Sequence, residues 1–313
     1  MDADRERIEQ AMLAAVATPN PYLTEIASHL IIAGGKRLRP VLAVTAGRLT
    51  GEVTDEVIQG GVSCELVHLG SLYHDDVMDE AETRRGVETV NAQWGNLQAI
   101  VAGDFLLARA SEISASLGAE PAELISFTLR RLCEGQLEEL ERTYDIARTE
   151  ESYLSSILGK TASLYGAAAR IGGLAAGLDR SMVDALTDYG HAYGTVFQII
   201  DDVLDLTSTA EALGKPAGHD MEEGVYTLPV LRTLQSDGGD ELASLLGRPL
   251  NPDERDRALA IVRAGDGIAS ALETAHDFAD QAAAACDRLG DGVVIDAMRA
   301  APRHLLDEVM PAE

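Results

Sequence analysis

From Val57 to Val77 the chain reads "VIQGGVSCELVHLGSLYHDDV", with apolar side chains recurring at steps of three and four residues. That is the period of an α-helix. "LQAIVAGDFLLARASEI" (97–113) and "LTDYGHAYGTVFQIIDDVLDL" (186–206) repeat the pattern. Helix-start signals stand at Thr54, at Glu120-Pro121 and at Asn251-Pro252. Breaks are expected at "AGGK", "SLGAEP", "LGKPAGHD" and "QSDGGDE". No series of alternating strands joined by hairpin turns appears. Neither does a low-complexity linker or a repeat of 20–50 residues. The pattern predicts one all-α domain over residues 1–313, with about ten or more helices, many of them long.

Composition narrows this further. The chain has 313 residues and is 46% hydrophobic, enough for a sizeable core. Its net charge of −27 repels nucleic acid and anionic membranes, so no nucleic-acid partner is expected. An anionic substrate then needs a locally basic pocket or metal ions. Cys64, Cys133 and Cys286 are widely spaced, with no CxxC, which fits a reducing compartment. The start "MDADRERIEQ" is too polar for a signal peptide, and Asp104 interrupts the best apolar run. A cytoplasmic protein, not integral to a membrane, is expected.

Two acidic strings end apolar helices: "SLYHDDVMDE", with Asp75, Asp76 and Asp79, and "FQIIDDVLDLT", with Asp201, Asp202 and Asp205. Residues four apart share a helix face, so Asp75 pairs with Asp79 and Asp201 with Asp205. Two such charges about 4 Å apart repel by roughly 4 kcal/mol at an effective dielectric of 20. A solvated helix end is the ordinary reading of one such string, but it does not account for two, each following an apolar helix. Hard divalent cations are the natural compensation, and Mg²⁺ is expected. Neither string has the twelve-residue loop of an EF-hand.

Basic groups cluster nearby in sequence. "AGGKRLRP" holds Lys36, Arg37 and Arg39; "ETRRGVET" holds Arg84 and Arg85. Lysine and arginine are phosphate-binding groups. Of 25 basic residues only Lys36, Lys160 and Lys215 are lysine. His68 precedes Asp75 by two helical turns, and Gln198 shares the face of Asp201. Trp94 reads as core packing and Asp104 as a buried cap.

In their order and spacing, "GGKRLRP", "LYHDDVMDEAETRRG", "GKTASL", "FQIIDDVLD" and "GKPAGHDMEEG.YTLP" resemble the trans-isoprenyl diphosphate synthases, or polyprenyl synthetases. The resemblance runs from about residue 30 to about residue 230. It implies the isoprenoid synthase fold: an all-α bundle of long helices around a central cavity, usually a homodimer. It implies condensation of isopentenyl diphosphate with an allylic diphosphate, with about three Mg²⁺ ions per active site. Asp75, Asp76 and Asp79 match the first metal-binding motif, and Asp201, Asp202 and Asp205 the second. Lys36, Arg39, His68 and Arg85, together with Arg37, match the isopentenyl diphosphate site. Arg84, Lys160, Thr161, Gln198 and Lys215 match contacts to the allylic substrate or its diphosphate. Asp75, Asp79, Arg84, Lys160, Asp201 and Lys215 are the implied catalytic set.

Product length is read from the helix before Asp75, where Ser71, Gly70 and Val67, with Cys64 one turn deeper, are expected to face the tunnel. A helical turn advances about 5.4 Å, close to one isoprene unit. Small residues there predict a product longer than C20, about C30 to C50, with a geranylgeranyl diphosphate synthase as the shorter option. One departure is Val225, where the family commonly has lysine. The end "VMPAE" also lacks the basic terminus of some short-chain members. A terpene cyclase of the same fold would lack "GGKRLRP", and a non-catalytic subunit tends to lose an aspartate motif.

Overall fold

The computed structural model describes residues 2–209, 216–307 and 309. Its helices in order are α1 (Asp2–Val16), α2 (Pro21–Ile32), α3 (Leu38–Gly47), α4 (Asp55–Met78), α5 (Val90–Trp94), α6 (Asn96–Leu117), α7 (Ala119–Glu141) and α8 (Glu150–Ile157). There follow α9 (Ser163–Ala175), α10 (Arg180–Thr207), α11 (His219–Glu222), α12 (Leu228–Leu234), α13 (Gly239–Leu245), α14 (Pro252–Ala264), α15 (Gly267–Cys286) and α16 (Val293–Asp307). A π-helical segment, Leu158–Ala162, lies between α8 and α9. The described residues are all-α apart from two short strands, β1 (Thr83–Arg84) and β2 (Val87–Glu88), which pair antiparallel. No described helix is long and apolar enough to cross a membrane. The chain divides into two compact units, residues 1–129 with 164–190 and residues 130–163 with 191–313.

The first unit is organised around α4. The Thr54 hydroxyl caps its start by accepting from the Val57 amide, and Asp55 and Glu56 complement the positive end of the helix dipole. The middle of α4 is buried all round, as expected of a helix apolar on every face. Glycines let three neighbours approach it. A Cβ on Gly60 would lie 2.5 Å from Ile171, on Gly61 2.8 Å from Pro40, and on Gly70 3.0 Å from the Gly103 carbonyl. Each glycine inside the helix costs about 1 kcal/mol against alanine. Close packing on α3, α6 and α9 offsets that cost. Tyr73, fully buried, fastens α4 to α2 by donating its hydroxyl to the Ile26 carbonyl at 2.8 Å.

The second unit packs the apolar face of α10 (Val196, Ile199, Ile200, Val203) against Tyr153, Ile157 and the helices from α11 onward. Along α15 a stripe of Ala271, Ala275 and Ala279 keeps that helix thin enough for close contact with α12 and α16. At α14 the predicted start is a full capping box, with Asn251 accepting from the Glu254 amide and Glu254 from the Asn251 amide. In contrast, α7 begins one residue before Glu120-Pro121, because proline is tolerated in a first helical turn.

Candidate active site

The first acidic string is the last turn of α4. The Asp79 amide donates to the Asp75 carbonyl at 2.8 Å, and no basic residue occupies that turn. Three carboxylates therefore sit at the negative end of a helix dipole, where cations are favoured. Asp75 is half-buried, Asp79 is exposed and Asp76 is buried. Arg84 Nε donates to Asp76 Oδ1 at 2.5 Å, while the buried Oδ2 has no hydrogen-bond partner. Burial pushes the Asp76 carboxyl up, and the Arg84 charge pulls it back. Arg84 is delivered by the β1–β2 hairpin. Its two turn residues, Arg85 and Gly86, have φ of 54° and 77°, as a two-residue type I′ turn requires.

Arg85 points back into the first unit. Its guanidinium donates to the Leu30 carbonyl at 3.2 Å and to the Gly34 carbonyl. A Cβ on Gly35 would lie 2.9 Å from Arg85 Nη1, so "GG" wraps that guanidinium. Lys36 is exposed. Arg39 is buried with its guanidinium 4.6 Å from the Tyr165 ring centre, a cation–π distance, and its Nε has no partner. His68 is held well below its ordinary value by burial, then by the charges of Arg39, Arg85, Arg84 and Arg37. It is therefore neutral at physiological pH, and one ring nitrogen can donate while the other accepts.

In the second unit, the acidic string ends α10. Asp201 is exposed, whereas Asp202 and Asp205 are both buried. Asp202 Oδ2 accepts from the Tyr153 hydroxyl at 2.5 Å, and Oδ1 accepts from Gln198 Nε2 at 2.9 Å. Gln198 Oε1 in turn accepts from the Thr161 hydroxyl at 2.8 Å. Asp205 Oδ2 accepts from the Asp220 amide at 3.3 Å, and its carbonyl from Gly218 at 2.9 Å. Lys160 and Thr161 lie on the π-helical segment, a device common at functional sites. Glycine at 135 and 159 lets that segment reach α7: a Cβ on Gly159 would lie 2.9 Å from the Arg131 carbonyl. Lys160 Nζ donates to Glu139 at 2.6 Å. Lys215 lies outside the described residues.

The acidic groups suit a hard cation. They are oxygen donors, one or two per string are open to solvent, and the buried Asp76 Oδ2 is unsatisfied. Among the described residues no three His, Cys, Asp or Glu side chains form a ready-made cage. Mg²⁺ needs none, since it is held by one or two carboxylates plus waters and substrate phosphates.

The sequence profile described as polyprenyl synthetase matches residues 20–262. The chain belongs to the polyprenyl synthetase family. It is a prenyltransferase. It is 42% identical over 281 residues to the nonaprenyl diphosphate synthase of Mycobacterium tuberculosis, covering 88% of this chain and 84% of that one. A decaprenyl diphosphate synthase from Rhodobacter capsulatus superposes with a TM-score of 0.91 at 30% identity, covering 99% and 97%. A polyprenyl synthase from Caulobacter crescentus, solved with calcium and isoprenyl diphosphate, gives 0.92 at 32% identity, covering 99% and 96%.

Three expectations change against this polyprenyl synthetase structure. Arg37 is turned inward: it donates to Glu9 at 2.7 Å, Glu65 at 3.2 Å and the Ile31 carbonyl at 2.7 Å, so it braces the loop instead of presenting a free guanidinium. Asp104 is no buried cap; its side chain is 71% exposed on α6, beside His74. Trp94 is half-buried, edge-on to His29 at 5.0 Å, instead of in the core. Of the chain-length positions, Val67 and Cys64 are fully buried and Ser71 is half-buried, its hydroxyl bonded to the His68 carbonyl. Gly70 meets Gly103 and Leu107 of α6, so its smallness has a packing reason.

Sequence reasoning missed Glu65, buried beside Arg37, and Tyr153, which holds Asp202. Only a faint signal pointed to Tyr153: a polar-tipped residue on the buried face of α8, seven positions before Lys160.

Proposed function

We propose that this prenyltransferase joins isopentenyl diphosphate head to tail to an allylic prenyl diphosphate, with Mg²⁺ as cofactor, and releases a polyprenyl diphosphate longer than C20. The observation that carries the reading is the design shared by both acidic strings. Each sets a solvent-accessible carboxylate at a helix end beside a buried one held by hydrogen bonds, which gives a hard cation oxygen donors on a braced helix.

Asp75, Asp79 and Asp201 are the candidate ligands, with Asp76, Asp202 and Asp205 supporting them. Bound Mg²⁺ would neutralise the charge that grows on the departing diphosphate. Arg84, Lys160, Thr161, Gln198 and Lys215 are assigned to the allylic diphosphate. Lys36, Arg39, Arg85 and neutral His68 take the isopentenyl diphosphate, with Arg37 as their brace. The allylic C–O bond breaks and its electron pair leaves with diphosphate. The isopentenyl double bond attacks the allylic cation, and the proton lost from the adduct goes to the released diphosphate. Val67, Gly70 and Ser71 bear on product length.

We assign the whole chain to one polyprenyl synthetase domain acting in the cytoplasm as a homodimer. Supporting the dimer, α6 exposes Leu97, Ile100 and Val101, spaced as one helix face and apolar in a highly charged protein. Purified protein given Mg²⁺, labelled isopentenyl diphosphate and farnesyl or geranylgeranyl diphosphate should form linear products beyond C20, and none after chelation. A cyclic hydrocarbon, or turnover only with a second polypeptide, would overturn the reading.

A further inference from the structure

Asp202 is only 4% exposed, and hydrogen bonds from Tyr153 at 2.5 Å and Gln198 at 2.9 Å occupy one oxygen each. A carboxylate held so on both sides cannot swing toward solvent without breaking one of those bonds. Its neighbour in sequence, Asp201, is the exposed member of the string. Both lie on one turn of α10, so the bonds that hold Asp202 add to the core packing of that helix in setting the direction in which Asp201 points.

Tyr153 is itself held. Its ring is fully buried, and the Arg148 guanidinium lies 5.7 Å from the ring centre. Arg148 is buried and keeps Nε and Nη2 without hydrogen-bond partners, while Nη1 donates to the Tyr226 carbonyl at 3.3 Å. A buried cation left partly unbonded is costly unless it faces electron-rich groups, here the Tyr153 ring and the carboxylates of Glu138, Glu139 and Asp202. On the other side the chain continues through Gln198 to Thr161, next to Lys160.

We infer that Tyr153 is a positioning residue for the second acidic string: through Asp202 it sets the direction in which Asp201 meets a divalent cation. Thr161 and Gln198 complete the same chain, so a substrate diphosphate held at Lys160–Thr161 and a cation held at Asp201 reinforce one another. The inference rests on the metal-dependent reading above.

The test is Tyr153→Phe, which removes one hydroxyl and keeps the ring. Mn²⁺ binding is read by electron paramagnetic resonance with farnesyl thiodiphosphate present, and in the cold, where a destabilised variant stays folded. Partners of this kind change metal affinity by about 10–100-fold, so Y153F should weaken Mn²⁺ at least about tenfold. The Mg²⁺ concentration for half-maximal turnover should rise by a similar factor, with most of kcat regained at saturation. Tyr226→Phe, the loss of another buried hydroxyl in the same unit, should leave Mn²⁺ affinity within about twofold. Y153F with wild-type Mn²⁺ affinity overturns the inference alone, as does equal weakening in Y226F. A wild-type protein that binds no Mn²⁺ overturns the metal-dependent reading and the inference with it.

Discussion

The two acidic strings share one pattern, yet the structure treats them differently. In the first, α4 stops at Met78, so Asp79 becomes an exposed cap. In the second, α10 continues to Thr207, so Asp205 is still inside a helix and buried. It spends its carboxylate on the chain that follows, through the Asp220 amide. The middle aspartates differ as well. Asp76 is answered by the charge of Arg84, whereas Asp202 is answered by two neutral donors, Tyr153 and Gln198. A spacing of carboxylates thus specifies which side chains share a face. Where the helix ends decides which of them stay open to a cation.

Each part of this comparison can be broken by substitution. The largest effect is expected at the proposed ligands: Asp75→Ala and Asp201→Ala should each lower kcat by about a thousandfold without changing the melting temperature by much, as is typical when one preorganised electrostatic group is lost. Steady-state rates beside thermal melts check this, and a near-normal rate for either removes that string from the chemistry. Next comes the asymmetry at the third aspartate. Asp205→Ala deletes a buried acceptor and should cost about 1–3 kcal/mol of stability. Asp79→Ala, at an exposed cap, should stay within about 0.5 kcal/mol. Urea titrations decide it, and equal costs would end the distinction.

The smallest effect belongs to His68. Its folded value lies below the ordinary one, because burial and four arginines disfavour the imidazolium. Below about pH 6.5 the unfolded chain takes up the proton first, so stability falls as the solution is acidified and levels off above that pH. His68→Gln should flatten that limb of the curve, read from denaturant midpoints across the range. An unchanged slope would mean the imidazolium is tolerated among those arginines.

The helical setting of both acidic strings was legible in the sequence, because residues four apart on an apolar helix mark its face and its end. Thr54 and Asn251 announced their helices because capping is a local interaction, complete within four residues. The β1–β2 hairpin was not seen, because strands of two residues are too short to show alternation. The packing of Gly70 on Gly103 and Leu107 was not legible, since a glycine looks the same in sequence whether it faces space or another backbone.

By itself, then, the sequence determined the helical class, the acidic and basic residue types and the family, all carried by short-range periodicity and by motifs whose order survives without a fold. Tertiary structure alone decided the employment of individual groups. Arg37 turned inward to Glu9 and Glu65, and Asp202 fell to Tyr153. The physical reason is that a charge in a buried place takes whichever partner packing brings within hydrogen-bond reach. Those partners lie 28 and 49 positions away along the chain.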